Sequence, residues 1–324
     1  MANEILLIGL SQVGTSLGLA LENSQGEVIR VGYDPDKKNN TAAKAAGAVD
    51  RIVSHPRLAV SSADLIIFAL PHHEVEDYLE HLGPKMKSDA IVIDTAPVKA
   101  PFFKWAAQYL PASHHVVGAT PIMGALDRED TSTDATADRF AGGLVAITTS
   151  PDTSERALAA AINLAKVLDA EPFFLDIDEL DAATAAIEDL PTLMSAAMFQ
   201  LTANSPSWRE LQRIAGAIFV QATEPCTTES KLLQQRIIAN RQNIISRLDL
   251  MVDEIKSLRE LLANHEDEDI IRYFDQADST RYAWLRARAR GDWASEELQS
   301  LPRIEKVGLV GPLFGLPRRK PKPD

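Results

Sequence analysis

The sequence predicts an α/β fold class: a doubly wound, mainly parallel sheet in the N-terminal half, followed by an all-α helical domain. Three observations predict it. First, short apolar runs alternate with segments of helical spacing as far as about residue 175: EILLIGL, EVIRVGYD, DLIIFALP, AIVIDTA, HHVVGAT, GLVAITTS and EPFFLD. Such alternation marks βα units whose parallel strands are covered on both faces. Second, strand-like runs stop at Asp178 and give way to long alanine- and leucine-rich stretches. Third, 324 residues suffice to bury two cores. The expected division is a sheet domain over 1–175, a helical domain over 176–290 and a C-terminal extension over 291–324, proline-rich and basic at its end.

Bulk properties narrow the partners. A net charge of -13 and an isoelectric point near 5.0 exclude nucleic acid and anionic membrane surfaces, which would be repelled at long range. No apolar run approaches the roughly 18 residues that span a bilayer. The N-terminus MANEILLIGL lacks the basic start of a secretion signal. The single cysteine, Cys226, rules out an internal disulfide framework or a cysteine-built metal site, as suits a cytoplasmic protein. A small-molecule ligand is the class that remains.

The first strand and helix carry the strongest motif. IGLSQVGTSLGLAL places Gly9, Ser11 and Gly14 between them, as the first turn of a Rossmann unit requires. A pyrophosphate would lie over the helix N-terminus, cradled by Gly9, Leu10, Ser11, Gln12, Val13 and Gly14. Gly9 makes the turn and Gly14 allows close packing of helix and strand. Ser11 stands at the middle glycine position, where the backbone must approach the phosphates. The second strand ends at Asp34, 20 residues after Gly14, the distance of an acid that takes the ribose hydroxyls. A carboxylate there repels a 2′-phosphate, so NAD is favoured over NADP.

SLGLALENS, TAAKAAGA, EVEDYLEHL and SERALAAAINLAKVL supply the crossover helices. The polar stretch between Gly124 and Gly143 reads as a solvated loop or a lid. DELDAATAAIEDLPTLMSAAMFQLTA reads as a buried helix that Pro191 ends or kinks. A long helix is expected from about Thr228 to Ala263. In it Ile237, Ile244, Leu248, Met251, Ile255, Leu258 and Leu262 recur at spacings of 7, 4, 3, 4, 3 and 4, a seam for a second subunit or for the same one.

Ligands gather at the carboxyl ends of parallel strands. Those ends supply Leu70, Pro71, His72 and His73, then Asp94, Thr95, Ala96, Pro97 and Lys99, then Thr120 and Pro121. Leu70, Pro71 and Thr95 are placed to border a nucleotide. His114 and His115 fall at the opposite edge.

Taken in order, these segments resemble the prephenate and arogenate dehydrogenases of tyrosine biosynthesis. IGLSQVGTSLGLAL follows that family's G-L-G-L-I-G-G-S-L; Asp94 to Lys99 is similar to its D-x-x-S-x-K; GATPIMG is similar to its G-x-H-P-M-x-G; and DELDAATAAIEDLP is similar to its E-H-D...S-H-L-P. The likeness spans nearly all of residues 4–260. It implies hydride transfer from a small acidic substrate to NAD and a homodimer built through the helical domain. The departures fall on the family's chemistry. Its catalytic histidine is Thr120 here, its motif serine is Pro97, the histidine of E-H-D is Leu180, and S-H becomes Glu188 and Asp189. Its arginine before the third large helix has no clear counterpart in AIFVQATEPCTTES.

Thr120 cannot act as a base near neutral pH, though it can orient a hydroxyl. His72 or His73 can stand in as the base. Lys99 either holds a substrate oxygen or is a lysine on a helix surface. Glu188 and Asp189 make a dianion unwelcome unless they point away from the site, with Arg209, Arg213, Arg236 and Arg241 available to compensate. Two other readings stay open: a nucleotide-binding protein on this scaffold that has lost the reaction, and a β-hydroxyacid dehydrogenase relative that uses Lys99 for acid-base work.

Overall fold

The computed structural model describes residues 3–23, 28–124, 134–227 and 230–291. The middle of the Gly124–Gly143 stretch, the start of the helix expected from Thr228 and the extension beyond Gly291 lie outside the described residues. The sheet has eight strands: β1 Asn3–Ile8, β2 Val28–Tyr33, β3 Arg51–Ile52, β4 Leu65–Phe68, β5 Ile91–Asp94, β6 His115–Ile122, β7 Leu144–Thr148 and β8 Glu171–Leu175. Their order is β3-β2-β1-β4-β5-β6-β7-β8, parallel throughout except for β6 against β7. The crossover helices are α1 Gln12–Ala20, α2 Lys37–Ala45, α3 His72–Leu82, α4 Ala100–Tyr109 and α5 Glu155–Val167.

The doubly wound sheet is therefore present. Alternate residues of β1 serve opposite cores, Ile5 and Leu7 on one face and Leu6 and Ile8 on the other, as burial on both faces demands. The strand order reverses between β1 and β4, which opens a crevice at their carboxyl ends.

Strand β6 runs further than the sequence suggests, so Thr120 and Pro121 lie inside it. Pairing with β5 stops at Gly118, opposite Asp94, while pairing with β7 continues to Ile122 opposite Leu144. Pro121 is tolerated because the β5 side needs no donor there.

The helical elements are α6 Ile177–Thr184, α7 Leu190–Ala203, α8 Trp208–Ile214, α9 Ala217–Thr223, α10 Ser230–Ala239, α11 Arg241–Ala263 and α12 Asp267–Ala289. A π turn over Ala185–Asp189 joins α6 to α7 and puts Pro191 in the first turn of α7, where an amide donor is dispensable. The buried helix expected over 178–203 is found in part: Leu180, Asp181 and Thr184 of α6 and Ala185 and Asp189 of the π turn are buried, whereas in α7 only Ser195 is, and Leu201 is 80% exposed. The long helix expected to Ala263 is broken at Asn240, whose side chain turns inward. In α11 the seam buries Ile244 but leaves Ile255 and Leu262 exposed. The chain divides into two compact units between Arg241 and Gln242, so α6–α10 group with the sheet. Among the described residues no helix is long and apolar enough to cross a membrane.

Candidate active site

At the carboxyl end of β1, Gly9 has φ +101, and a Cβ there would stand 2.4 Å from the Ala69 carbonyl oxygen. Gly14 is tighter still: its Cβ would meet the Gly9 oxygen at 1.9 Å. Only glycine fits either position. The Leu10 amide donates to Asp34 Oδ2 at 2.6 Å, and Thr15 Oγ1 donates to the Leu10 carbonyl at 2.8 Å. Asp34 thus fixes the turn as well as bordering it. Its Oδ1 accepts from the Asp36 amide and, at 3.2 Å, from Asn39 Nδ2.

Ser11 is the exposed N-cap of α1 and makes no side-chain cap hydrogen bond, so its hydroxyl is not spent on the helix it precedes. Gln12 and Val13 follow, half-buried. Leu70 is buried and Pro71 caps α3, forming the lip on the β4 side. This cradle fits a dinucleotide: backbone donors at a helix N-terminus, a turn too tight for any side chain at Gly9 or Gly14, and a carboxylate at the ribose distance.

The loop after β5 is tied down at nearly every residue. Thr95 Oγ1 donates to the Phe68 carbonyl at 2.9 Å. Thr120 Oγ1 donates to the Ala96 carbonyl at 2.8 Å, and Thr184 Oγ1 to the Pro97 carbonyl at 3.0 Å. The Asp181 carboxylate, on α6, accepts from the amides of Lys99 at 2.6 Å and Ala100 at 3.0 Å and so caps α4. Burial raises its pKa, and these two amide bonds oppose the rise.

Lys99 is not a lysine on a helix surface. Its side chain is 0% exposed, and Nζ donates at 2.7 Å both to Asp94 Oδ2 and to the Asp94 carbonyl. Burial lowers the lysine and raises the aspartate, and their attraction opposes both shifts. Its methylenes run past Gly118, where a Cβ would come within 3.0 Å of Lys99 Cδ and Cε and 2.1 Å of Thr148 Oγ1. A lysine-based acid-base mechanism therefore lacks an accessible amine.

His72 begins α3, nearly buried and stacked on Trp105 with ring centroids 6.4 Å apart. Its ring donates to the Gln235 carbonyl of α10. Burial above all, with the charges of His73 and Arg236, lowers its pKa to about 4. The imidazole is neutral at pH 7, with one nitrogen donating and the other left to accept.

Thr120 and Lys99 meet through the 94–99 loop, whereas His72 stands against α10. Asp189 is fully buried and points inward, yet it is not a bare charge: Arg236 Nε donates to it at 2.6 Å. Arg236, Asp181, Thr184 and Asn240 were not identified from sequence as one cluster, because their partners lie on other elements. Gly118 was the available signal for Lys99, since a glycine inside a buried strand marks something passing close by.

Comparison with known proteins agrees with this arrangement. Residues 17–172 match the family model described as prephenate dehydrogenase, nucleotide-binding domain, and residues 176–276 match prephenate dehydrogenase, dimerization domain. The first match begins at Leu17, beyond the glycine turn. The chain is 24% identical to a prephenate dehydrogenase of Bacillus subtilis over 283 residues, covering 87% of this chain and 76% of that protein. It is 23% identical to a cyclohexadienyl dehydrogenase of Zymomonas mobilis, covering 86% of this chain and 95% of that one. Among solved structures, Aquifex aeolicus prephenate dehydrogenase with hydroxyphenyl propionate and NAD+ gives a TM-score of 0.77 at 18% identity, covering 87% of this chain and 98% of that one. Synechocystis arogenate dehydrogenase gives 0.72 at 21%, covering 87% and 99%. Two domain models of one family, in the order in which the sheet and helical elements occur, show that the chain belongs to the prephenate dehydrogenase family of NAD-dependent oxidoreductases.

Proposed function

We propose that the chain oxidises a small carboxylic acid of the prephenate or arogenate type with NAD, at the carboxyl edge of the sheet between the glycine turn, the 94–99 loop and α3. The observation that carries this reading is the cradle in which Gly9 and Gly14 leave room for no Cβ and Asp34 closes the turn. Leu10 to Gly14 would hold the pyrophosphate, and Asp34 the ribose hydroxyls in preference to a 2′-phosphate. When bound, NAD supplies the hydride acceptor. His72 offers a neutral imidazole nitrogen to the substrate hydroxyl as its proton leaves. Thr120, its own proton committed to Ala96, offers only an acceptor oxygen. Leu70, Pro71 and Thr95 border the nucleotide.

The decisive assay follows nicotinamide absorbance with purified protein, NAD or NADP, and saturating prephenate or arogenate. Turnover with NAD on the order of 1 per second or faster is expected. Because burial holds His72 near 4, the rate should persist to about pH 5 and fall as pH approaches 4; His72→Asn should lower kcat by about 100-fold. Nucleotide binding without turnover of either acid would favour the second reading, a scaffold that has lost the reaction. Two observations speak for that reading: Thr120's proton is spoken for and Lys99 is sealed in.

We further propose a homodimer through the helical domain, working in the cytoplasm. An apolar groove of about 500 Å³ lies between α7, α8 and α9, lined by Met198, Trp208, Leu211, Ile214, Ile218 and Phe219. It sits within the stretch matching the dimerization domain, and Ile218 is 85% exposed in the single chain. Ile218→Glu should convert a dimer to monomers in sedimentation equilibrium. A wild-type monomer would overturn the proposal.

A further inference from the structure

One cation from the helices reaches the carboxyl edge. Arg236 Nε donates to Asp189 Oδ1 at 2.6 Å and Arg236 Nη1 to Glu188 Oε2 at 2.8 Å. Asp189 is held in turn by Asn240 Nδ2 at 3.3 Å, and the same amide nitrogen donates to the Asp181 carbonyl at 2.8 Å. Since Asp181 caps α4 through Lys99 and Ala100, the guanidinium is fixed relative to the 94–99 loop. Its field also reaches His72, whose ring bonds the neighbouring Gln235.

What this arrangement leaves over is the other edge of the fork. Among the described residues Arg236 Nη2 has no hydrogen-bond partner, and the side chain is 23% exposed. The Nη1–Nη2 edge of a guanidinium matches a carboxylate in spacing and planarity. Glu188, about half exposed, stands beside that edge.

We infer that Arg236 binds a carboxylate of the substrate, aimed by Asp189 as a positioning residue, and that Glu188 makes the site prefer an amino acid over the corresponding oxo acid. The inference deepens the reading above and rests on it. The charge count gives the direction. Two carboxylates to one guanidinium leave the cluster at net -1, and a bound carboxylate takes it to -2. An ammonium on the same substrate restores -1 and finds an acceptor in Glu188, whereas a keto group does neither.

Binding of arogenate and of prephenate should be measured by calorimetry without nucleotide, so that no turnover intervenes. The wild type should favour arogenate. Arg236→Gln should weaken both acids by about tenfold or more, the loss expected of a charge-assisted pair. The double variant Arg236→Gln with Asp189→Asn, which leaves no buried charge unpaired, should do the same while folding normally. Glu188→Gln should shrink the preference for arogenate about fivefold, chiefly by tightening prephenate. Wild-type affinity for both acids in a folded Arg236 variant, or an unchanged preference in Glu188→Gln, would overturn the inference and leave the proposed function standing. A wild type that binds neither acid would remove that reading and the inference together.

Discussion

Gly14→Val, in the first turn of α1, weakens NAD binding about 100-fold while the helices from α6 onward keep their secondary structure: that is the largest effect on nucleotide affinity expected of a single substitution. The cause is geometric. A Cβ at residue 14 would stand 1.9 Å from the Gly9 oxygen, and Gly9 has no slack of its own, with the Ala69 carbonyl 2.4 Å from where its Cβ would be. The turn must open for the larger side chain, and opening it pulls the Leu10 amide from Asp34 and moves the first amides of α1 off the phosphate position. A displacement costing about 3 kcal/mol in the bound state raises the dissociation constant about 100-fold. Titration calorimetry with NAD measures it. Gly216→Ala is the control, because nothing lies within 4 Å of a Cβ there, and NAD affinity should be unchanged. A Gly14→Val protein that bound NAD within threefold of wild type would remove the glycine turn from the nucleotide site.

The turn was legible because its information is local. Gly9, Gly14 and Asp34 declare themselves by spacing along one strand-turn-helix-strand segment, and the apolar runs that became β1, β2 and β4 through β8 needed only alternation with helical segments. The loop after β5 was not legible in the same way. Its residues could be named as strand-end residues, but what they do depends on partners far along the chain. The Lys99 amide meets Asp181 across 82 positions and Thr120 meets Ala96 across 24. A lysine five residues after a strand-end aspartate looks like a surface or catalytic residue until Gly118 is seen to make room for its methylenes. Residues Glu188 and Asp189 were legible only as charges, with Arg236 one of four candidate partners. Counted as isolated acids they repel a dianion; joined to Arg236, they become part of a fixed ion-pair cluster whose remaining guanidinium edge is open. Pro191 was read as an end or kink, and the chain absorbs it by widening one turn to π geometry and restarting.

The fate of Lys99 can be decided by stability rather than by rate. Lys99→Met removes the cation from a carboxylate that is 0% exposed and whose Oδ1 already has no partner. Breaking a buried pair from one side costs about 3–5 kcal/mol, because an uncompensated charge stays behind. For a unit of this size, that lowers the melting temperature by on the order of 10 °C. Replacing both partners, Lys99→Met with Asp94→Leu, should recover most of the loss, since no charge is then buried. The pH dependence supplies an independent sign. In Lys99→Met the opposing cation is gone, so burial raises Asp94 with only the Ala96 amide opposing it, and its folded pKa lies above its ordinary 3.8. The folded state then holds a proton that the unfolded state releases, so the variant loses stability as pH rises from about 4 and recovers it as pH falls. Thermal melts at pH 7 and pH 4.5 should therefore show a smaller gap from wild type at the lower pH. A catalytic lysine predicts the reverse pattern: a collapsed kcat with an unchanged melting temperature at both pH values. Finding that pattern would mean that Nζ leaves Asp94 to meet substrate, and the 94–99 loop would have to be a moving part instead of the fixed floor against which Arg236 is aimed.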